Sequence, residues 1–164
     1  MSVKEKSPSV VVERTYLASV HELWDLWTTR DGFESWWGPE GFRVDVHALE
    51  ARQGGTLHYD MRADTPEMIE AMKQMGRPAS HETRGWFAEI QPRERLVLKH
   101  LIDFLPGVTP YESTIVAEFF PAGEHARMVV TLEPMHDAET SGMQREGFTS
   151  QLTKLDRRFG GTTR

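Results

Sequence analysis

The sequence contains no cysteine among its 164 residues. Disulfide bonds, thiolate nucleophiles and thiolate metal sites are therefore excluded, and nothing in the composition indicates an oxidising compartment. No apolar run approaches the roughly 20 residues that a membrane-spanning helix needs. Residues 1–8 are polar and do not resemble a signal peptide. We therefore expect a cytoplasmic protein without membrane association, in which residues 1–8 form a disordered tail.

An excess of basic residues is missing as well. Lysine and arginine number 19 against 25 aspartates and glutamates, which gives a formal net charge of −6. Binding to a nucleic-acid backbone or to an anionic membrane requires a clustered basic surface. The charge balance therefore argues against nucleic acid and membranes as the main partners.

The sequence motifs of common catalytic sites are also missing. There is no HExxH or comparable ligand spacing, and pairs such as His136-Asp137 or His81-Glu82 do not make a metal site alone. There is no GxSxG nucleophile elbow, no GxGxxG and no P-loop. We therefore predict no bound metal and no cofactor, and we favour a binding protein over an enzyme.

The most informative feature that is present is the run from Phe33 to Phe42, which contains Trp36-Trp37-Gly38-Pro39. A tryptophan buries 150–250 Å², so two adjacent tryptophans strongly favour an interior position. The run follows a short amphipathic helix and precedes a strand pattern. It predicts a compact elbow at one end of a β-sheet, in a fold suited to holding something apolar.

The remaining chain alternates like an antiparallel sheet with helices at defined places. Ser19 and Glu22 form a capping box for a helix that Asp31-Gly32 is expected to end. The spacing of Phe148, Leu152, Leu155 and Phe159 predicts a long last helix beginning near Thr140 or Ser141. A short inserted helix is predicted over Pro66–Met75. The strands are predicted at 10–16, 42–46, 57–61, 83–90, 96–104, 111–120 and 128–132.

Three groups of residues resemble a known family. They are Trp24-Asp25-Leu26-Trp27 with the run Trp36 to Phe42, Gly54-Gly55 with the segment 85–96, and Gly147-Phe148 with Leu152 and Leu155. Together they resemble the helix-grip fold of the START/birch-allergen-like (SRPBCC) superfamily. The similarity is greatest to the subfamily named for the C-terminal domain of the heat-shock chaperone ATPase activator, with Phe148 replacing the usual tryptophan.

The resemblance implies an α+β helix-grip fold over residues 9–160, as a single domain. A curved antiparallel sheet of about seven strands wraps around the long C-terminal helix, with two short helices after strand 1 and one inserted short helix. Members of the superfamily include ligand carriers, cyclases, resistance proteins and chaperone regulators, so the fold alone does not decide the function.

Helix-grip proteins hold an apolar ligand between the sheet and the last helix. Gly147 interrupts that helix at a cost of about 1 kcal/mol relative to alanine; it leaves space there, or it allows close packing. A ligand-binding cavity is predicted there. Strand alternation predicts that its sheet face carries Tyr59, Met61, Leu98, His100, Ile102, Phe119, Met128 and Val130. Trp27 and Trp36 close one end, and the last helix contributes Gly147 and Phe148.

His100 is the main polar candidate, because it occupies an inward position between Leu98 and Ile102. It can orient a ligand or act as a base, or it is a structural histidine bonded to a neighbouring carbonyl. Tyr59 adds a phenol. Glu118 faces the same cavity only if its strand is shifted by one residue.

Two further segments have alternative roles. The methionine-rich helix 66–75 is either a lid over the cavity or a cover for a sheet edge. The apolar loop 104–110 is either packed against the domain or exposed as a surface for a partner or a homodimer.

Three functions follow from these observations. The first is binding of a small hydrophobic or aromatic molecule. The second, from the resemblance, is regulation of a heat-shock chaperone ATPase. The third is an enzyme of the cyclase, hydrolase or lyase type, in which His100 with Tyr59 or Glu118 supplies acid–base chemistry.

Overall fold

A computed structural model of the chain describes residues 9–103, 107–160 and 162–163. The predicted tail 1–8 and residues 104–106 of the apolar loop lie outside the described residues. The strands are β1 (Val10–Tyr16), β2 (Phe42–Leu49), β3 (Thr56–Ala63), β4 (Ser80–Gln91), β5 (Arg95–Ile102), β6 (Tyr111–Ala122), β7 (His125–Leu132) and β8 (Thr162–Thr163). The helices are α1 (Val20–Thr28), α2 (Arg30–Glu34), α3 (Pro66–Gln74) and α4 (Ala138–Phe159).

All the strands join one antiparallel sheet in the order β2-β3-β4-β5-β6-β7-β1-β8. Six strands follow each other as a meander, while β1 lies beside β7, where Val10 pairs with Leu132. The register shifts between Val46 and Ala48 and again between Phe87 and Glu89. Bulges of this kind increase local bend and twist, so they help to curve the sheet around the helix.

The helix α4 packs across the inner face of this sheet, and the predicted helix-grip fold is confirmed. Its 22 residues span about 33 Å at 1.5 Å per residue. Asp137 caps its first turn by accepting from the Thr140 N–H, so the helix begins slightly before the predicted Thr140 or Ser141. The side chains that it buries form one stripe, namely Phe148, Gln151, Leu152 and Leu155.

The junction of α1 and α2 corrects one prediction. The capping box of Ser19 and Glu22 is present at the start of α1. The helix ends at Thr28, however, and Asp31-Gly32 lies inside α2. Thr29 has an extended backbone, and its hydroxyl accepts from the Gly32 N–H, so one residue closes α1 and caps α2. The hydroxyl at this position, and not the glycine, sets the helix boundary.

The hydrophobic core lies between the inner face of the sheet, α1, α2 and α4. In β5 every second residue is buried, which places Leu96, Leu98, His100 and Ile102 on the inner face. The opposite face is polar, as expected for His58, Asp60 and Arg62, which pair with Glu82, His47 and Asp45 respectively. Among the described residues, no helix combines the length and apolarity that crossing a bilayer requires.

Candidate functional site

An aromatic cluster closes one end of the space between α4 and the sheet. The rings of Trp27, Trp36 and Trp37 lie 5.2–5.3 Å from one another, mostly edge to face. Phe148 of α4 lies 6.1–6.4 Å from all three. The Trp36 indole N–H donates to the Leu26 carbonyl at 2.8 Å, and that of Trp27 points at the Met128 sulfur at 3.4 Å. The cluster is thus fixed by ring packing and by satisfied indole donors.

A hydrogen-bonded series of three side chains, which we call the polar chain, runs from this cluster along the inner face of the sheet. Its members are Trp37, Tyr59 and His100. The Trp37 Nε1–H donates to the Tyr59 hydroxyl at 3.0 Å, and that hydroxyl lies 3.0 Å from Nε2 of His100. An indole N–H can only donate, so the Tyr59 oxygen accepts there. We assign the phenolic proton to the contact with His100, which puts the imidazole proton on Nδ1. Three buried groups therefore share two hydrogen bonds.

Tyr59 and His100, the two titratable residues of the polar chain, are both neutral near pH 7. Burial lowers the pKa of His100 to about 4, because the charged imidazolium is poorly solvated there. Burial also raises the pKa of the Tyr59 hydroxyl far above its usual value. His100 can accept a proton only weakly, and the pair is suited to hydrogen bonding in an apolar surrounding.

Gly85 of β4 allows β3 and β5 residues to meet across the strand between them. It is paired with His100 and lies two residues from Thr83, the partner of Tyr59. A Cβ added at Gly85 would lie against the Lys99 carbonyl oxygen, so the approach of β4 to β5 requires a glycine. Because residue 85 is a glycine, β4 places no side chain beside His100 at this point.

Polar groups continue along the inner face beyond His100. Ser113 of β6 is the register partner of His100 and is 3% exposed, and its hydroxyl accepts from Gln144 of α4 at 3.4 Å. The inner stripe of α4 is apolar at Phe148 and Leu152, and it becomes polar one turn earlier at Gln144. The interior thus has an apolar end and a polar end.

Gln151 is the second polar residue in the α4 stripe. Its Oε1 accepts from the Gly38 N–H at 2.8 Å, while its Nε2 has no hydrogen-bond partner within the part of the chain that the structure describes. An unpaired buried donor costs about 1–3 kcal/mol.

The tryptophan elbow is bound to α4 by several polar contacts. Lys154 donates to the carbonyls of Gly38 and Phe42 at 2.8 and 3.1 Å, and burial lowers the pKa of its amine. The Glu40 N–H donates to the Ser150 hydroxyl, and the Glu40 carboxylate accepts from Thr153 and Arg157. The position of the elbow is therefore set by α4 as well as by its own ring packing.

The structure brings most of the predicted cavity residues to one interior. Those that are buried are Trp27, Trp36, Tyr59, Leu98, His100, Ile102, Phe119, Met128, Val130 and Phe148. Met61 and Gly147 are half-buried. A Cβ added at Gly147 would meet no atom within 4 Å, so this glycine does not serve close packing of the helix against the sheet. That these residues bind a ligand stays a prediction.

The structure also gives the positions of other residues that the sequence singled out. Glu118 lies on the outer face, 3.3 Å from Arg95, so it does not join His100. The helix α3 buries no side chain; its Met68 lies beside Gly41, at the start of β2. Among the described residues, no group of three histidines, aspartates or glutamates could hold a metal ion.

Sequence reasoning missed four polar contributors, which are Trp37, Ser113, Gln144 and Gln151. The sequence predicts Trp37 only as part of the elbow. In the structure its indole N–H also donates to the Tyr59 hydroxyl and so begins the polar chain. Gln151 had a signal in the sequence, since it falls three residues after Phe148 and four before Leu155 on the apolar stripe. A polar residue at such a position needs a partner.

A separate groove of about 1050 Å³ lies where β6 and α4 begin and β7 ends. None of the predicted cavity residues lines it. It contains Tyr111, whose hydroxyl lies 2.8 Å from Nδ1 of His136 and accepts from the His136 N–H at 3.2 Å. These contacts join the start of β6 to the segment before α4.

Comparisons with known proteins agree with the fold. Residues 17–160 match the sequence model of a family described as Activator of Hsp90 ATPase homolog 1-like protein. A comparison with curated proteins gave no match.

Several solved structures are similar. One is a protein of Chromobacterium violaceum, with a TM-score of 0.74 and 19% identity over 92% of this chain and 96% of the other. Another is the AHSA1 protein of Silicibacter pomeroyi, with a TM-score of 0.71 and 21% identity over 92% and 96%. A third is CalU16 of Micromonospora echinospora, with a TM-score of 0.61 and 15% identity over 91% and 74%. At these identities the likeness concerns the fold alone.

Proposed function

Because the chain belongs to the family of Activator of Hsp90 ATPase homolog 1-like proteins, we propose that it binds one small hydrophobic or aromatic molecule. The proposed site lies between the inner face of the sheet and α4. Its walls are the predicted cavity residues, of which Trp27, Phe119 and Phe148 supply aromatic surface. The cytoplasmic location and the single-domain boundary at residues 9–160 stay predictions.

The observation that carries this proposal is a set of polar side chains held inside an otherwise apolar interior. Tyr59, His100, Ser113 and Gln151 are each at most 7% exposed. Burying polar groups is costly, and ligand sites are mostly apolar with a few polar groups that orient the ligand. A protein that needed only a stable core would gain from apolar residues at these positions.

The free space beside Gly147 also supports the proposal. A Cβ added at Gly147, the residue before Phe148, would meet no neighbour within 4 Å. Within α4 the buried residues begin only at Phe148, so the first half of the helix buries no side chain against the sheet. We place the mouth of the site at the end of this half, on the side of α4 that carries Gly147 and not on the side that carries Gly142.

Native mass spectrometry of the purified protein, followed by titration with 2-acetylnaphthalene, tests the proposal. We expect one molecule bound per chain and a raised melting temperature. Gly147→Leu should weaken binding at least tenfold by occupying the mouth, while Gly142→Leu, five residues earlier in α4, should not. Equal affinity in both variants, or no binding by the wild type, would contradict the proposed site.

Acid–base catalysis in the same interior is a second candidate, favoured by the 3.0 Å contact between Tyr59 and His100. The low pKa of His100, about 4, limits its strength as a base. Chemical conversion of a bound molecule, lost in both Tyr59→Phe and His100→Gln while binding persists, would establish the enzyme. Recovery of the molecule unchanged after prolonged incubation would favour binding alone.

The family description brings a third candidate, regulation of a heat-shock chaperone ATPase. It predicts that the protein alters the ATPase rate of its cognate chaperone. An unchanged chaperone ATPase rate at excess protein would exclude this candidate, and it would leave the proposed ligand binding unaffected.

A further inference from the structure

The amide of Gln151 faces the interior from α4 and is only half satisfied. The residue is 4% exposed and lies in the buried stripe between Phe148 and Leu155. Its side chain meets the elbow, where the Gly38 N–H donates to Oε1 at 2.8 Å.

This single contact fixes which end of the amide is unpaired. A backbone N–H can only donate, so the atom facing Gly38 must be the oxygen. The NH₂ group therefore points elsewhere, and no atom within residues 9–103 or 107–160 accepts a hydrogen bond from it. A buried amide donor without an acceptor is uncommon in folded proteins. The unpaired atom is a donor, so what it lacks is an acceptor.

Free space lies on the same side of the helix. Gly147 precedes Gln151 by one turn, and residues four apart share a helix face. An added Cβ at Gly147 would have no neighbour within 4 Å. An unpaired buried donor and an open position thus lie one turn apart along one flank of α4.

The charges around Gln151 restrict the kind of acceptor. Lys154 lies on the same flank, but its amine donates to the Gly38 and Phe42 carbonyls. His100 and Tyr59 are both neutral near pH 7, since burial shifts their pKa values away from the charged forms. Gln151 itself offers an anion only a neutral amide donor, while the Lys154 amine is directed at the elbow carbonyls, so a buried anionic group at this amide would be poorly compensated.

We propose that the ligand carries an uncharged acceptor oxygen, such as a ketone or ester carbonyl, that accepts a hydrogen bond from Nε2 of Gln151. This inference rests on the proposed ligand-binding function and adds the chemical class of the ligand. Gln151 is then the residue that orients an apolar molecule in the site by its one polar group.

Two probes of nearly equal shape test the inference, namely 2-acetylnaphthalene and 2-ethylnaphthalene, which differ in one carbonyl. We expect the wild-type protein to bind the ketone about five- to tenfold more tightly, the usual effect of one added neutral hydrogen bond. In nitrogen-15 correlation spectra, the side-chain NH₂ signals of Gln151 should move downfield with the ketone and not with the hydrocarbon. These signals are assigned by their loss in Gln151→Met.

The variants separate this role from general packing. In Gln151→Met the ratio of the two affinities should fall towards one, whereas Gln91→Met, which changes an exposed glutamine at the end of β4, should keep the wild-type ratio. Equal binding of both probes by the wild type, with unmoved Gln151 signals, would overturn the inference and leave the proposed function standing. Binding of neither probe would overturn both. If Gln151→Met does not fold, triple-resonance spectra of the wild type assign the Gln151 NH₂ signals instead, so the wild-type spectra and affinities still decide the question.

Discussion

The hydroxyl of Tyr59 lies 3.0 Å from Nε2 of His100, although the two residues belong to strands that are not neighbours. The strand between them passes Gly85 at the crossing point, and the Trp37 indole donates to the same hydroxyl. The Tyr59 hydroxyl oxygen thus links the elbow to β3 and β5. Removing it is the most direct test of the hydrogen bonds among Trp37, Tyr59 and His100.

Tyr59→Phe should destabilise the protein by about 1–3 kcal/mol, because it leaves the Trp37 N–H and the His100 nitrogen buried without this partner. Urea unfolding measures the change. Tyr111→Phe is the matched control, since it removes a hydroxyl from a half-buried tyrosine that water can still reach. A loss in Tyr59→Phe no larger than that in the control would contradict the described hydrogen bonds.

His100 should make stability depend on pH in the acid range. Its pKa is about 4 in the folded protein and about 6.5 when unfolded, so the unfolded chain binds the proton more readily. The contribution of the neutral imidazole is complete above pH 6.5 and is lost as the pH falls towards 4, by about 3 kcal/mol in total.

Urea midpoints measured from pH 7 to pH 4 check this value. His100→Gln should show a shallower fall than the wild type, while His125→Gln, which changes an exposed histidine, should follow the wild-type curve. Parallel curves for His100→Gln and the wild type would show that His100 titrates normally.

Gly85→Ala should destabilise the protein by about 1–3 kcal/mol, the range for overpacking a well-packed site. The added methyl group would lie against the Lys99 carbonyl oxygen and push β4 from β5. Gly142→Ala is the control, because its methyl group meets nothing and alanine favours the helix. Thermal unfolding should therefore show opposite changes in the two variants, and the same direction in both would contradict the strand approach.

Lys154→Met should loosen the elbow, since the carbonyls of Gly38 and Phe42 lose a charged donor. We expect a stability loss of about 1–2 kcal/mol, reduced from the buried value by partial exposure. Hydrogen exchange at the Gly38 amide should also accelerate. Lys73→Met, on the exposed surface of α3, should change neither quantity.

The sequence allowed the faces of the strands to be predicted, but not the contacts between them. Alternation along 96–102 placed His100 inward, because a strand turns every second side chain to the same face. It did not identify Tyr59 as its partner, since that contact depends on the register of three strands and on the space at Gly85. The end of α1 was misplaced for a local reason. The glycine predicts that the helix ends at Asp31-Gly32. In the structure the Gly32 N–H donates to the Thr29 hydroxyl, and α1 ends at Thr28.

The apolar residues of the candidate site could be predicted from the sequence, but the contacts of its polar residues could not. Phe148 and Leu152 follow from helical spacing, whereas the role of Gln151 depends on Gly38, which lies more than a hundred residues earlier. The separation of polar and apolar ends inside the protein also needed the structure, because Ser113 and Gln144 meet only when α4 crosses β6.

The place of β1 beside β7 has a consequence for synthesis. Val10 pairs with Leu132, so the first strand has no partner until more than a hundred further residues have been made. At 5–20 residues per second this wait is roughly 6 to 24 seconds. During it the β-branched segment around Val10 stays unpaired in the nascent chain, and β1 can join the sheet only after β7 has been made.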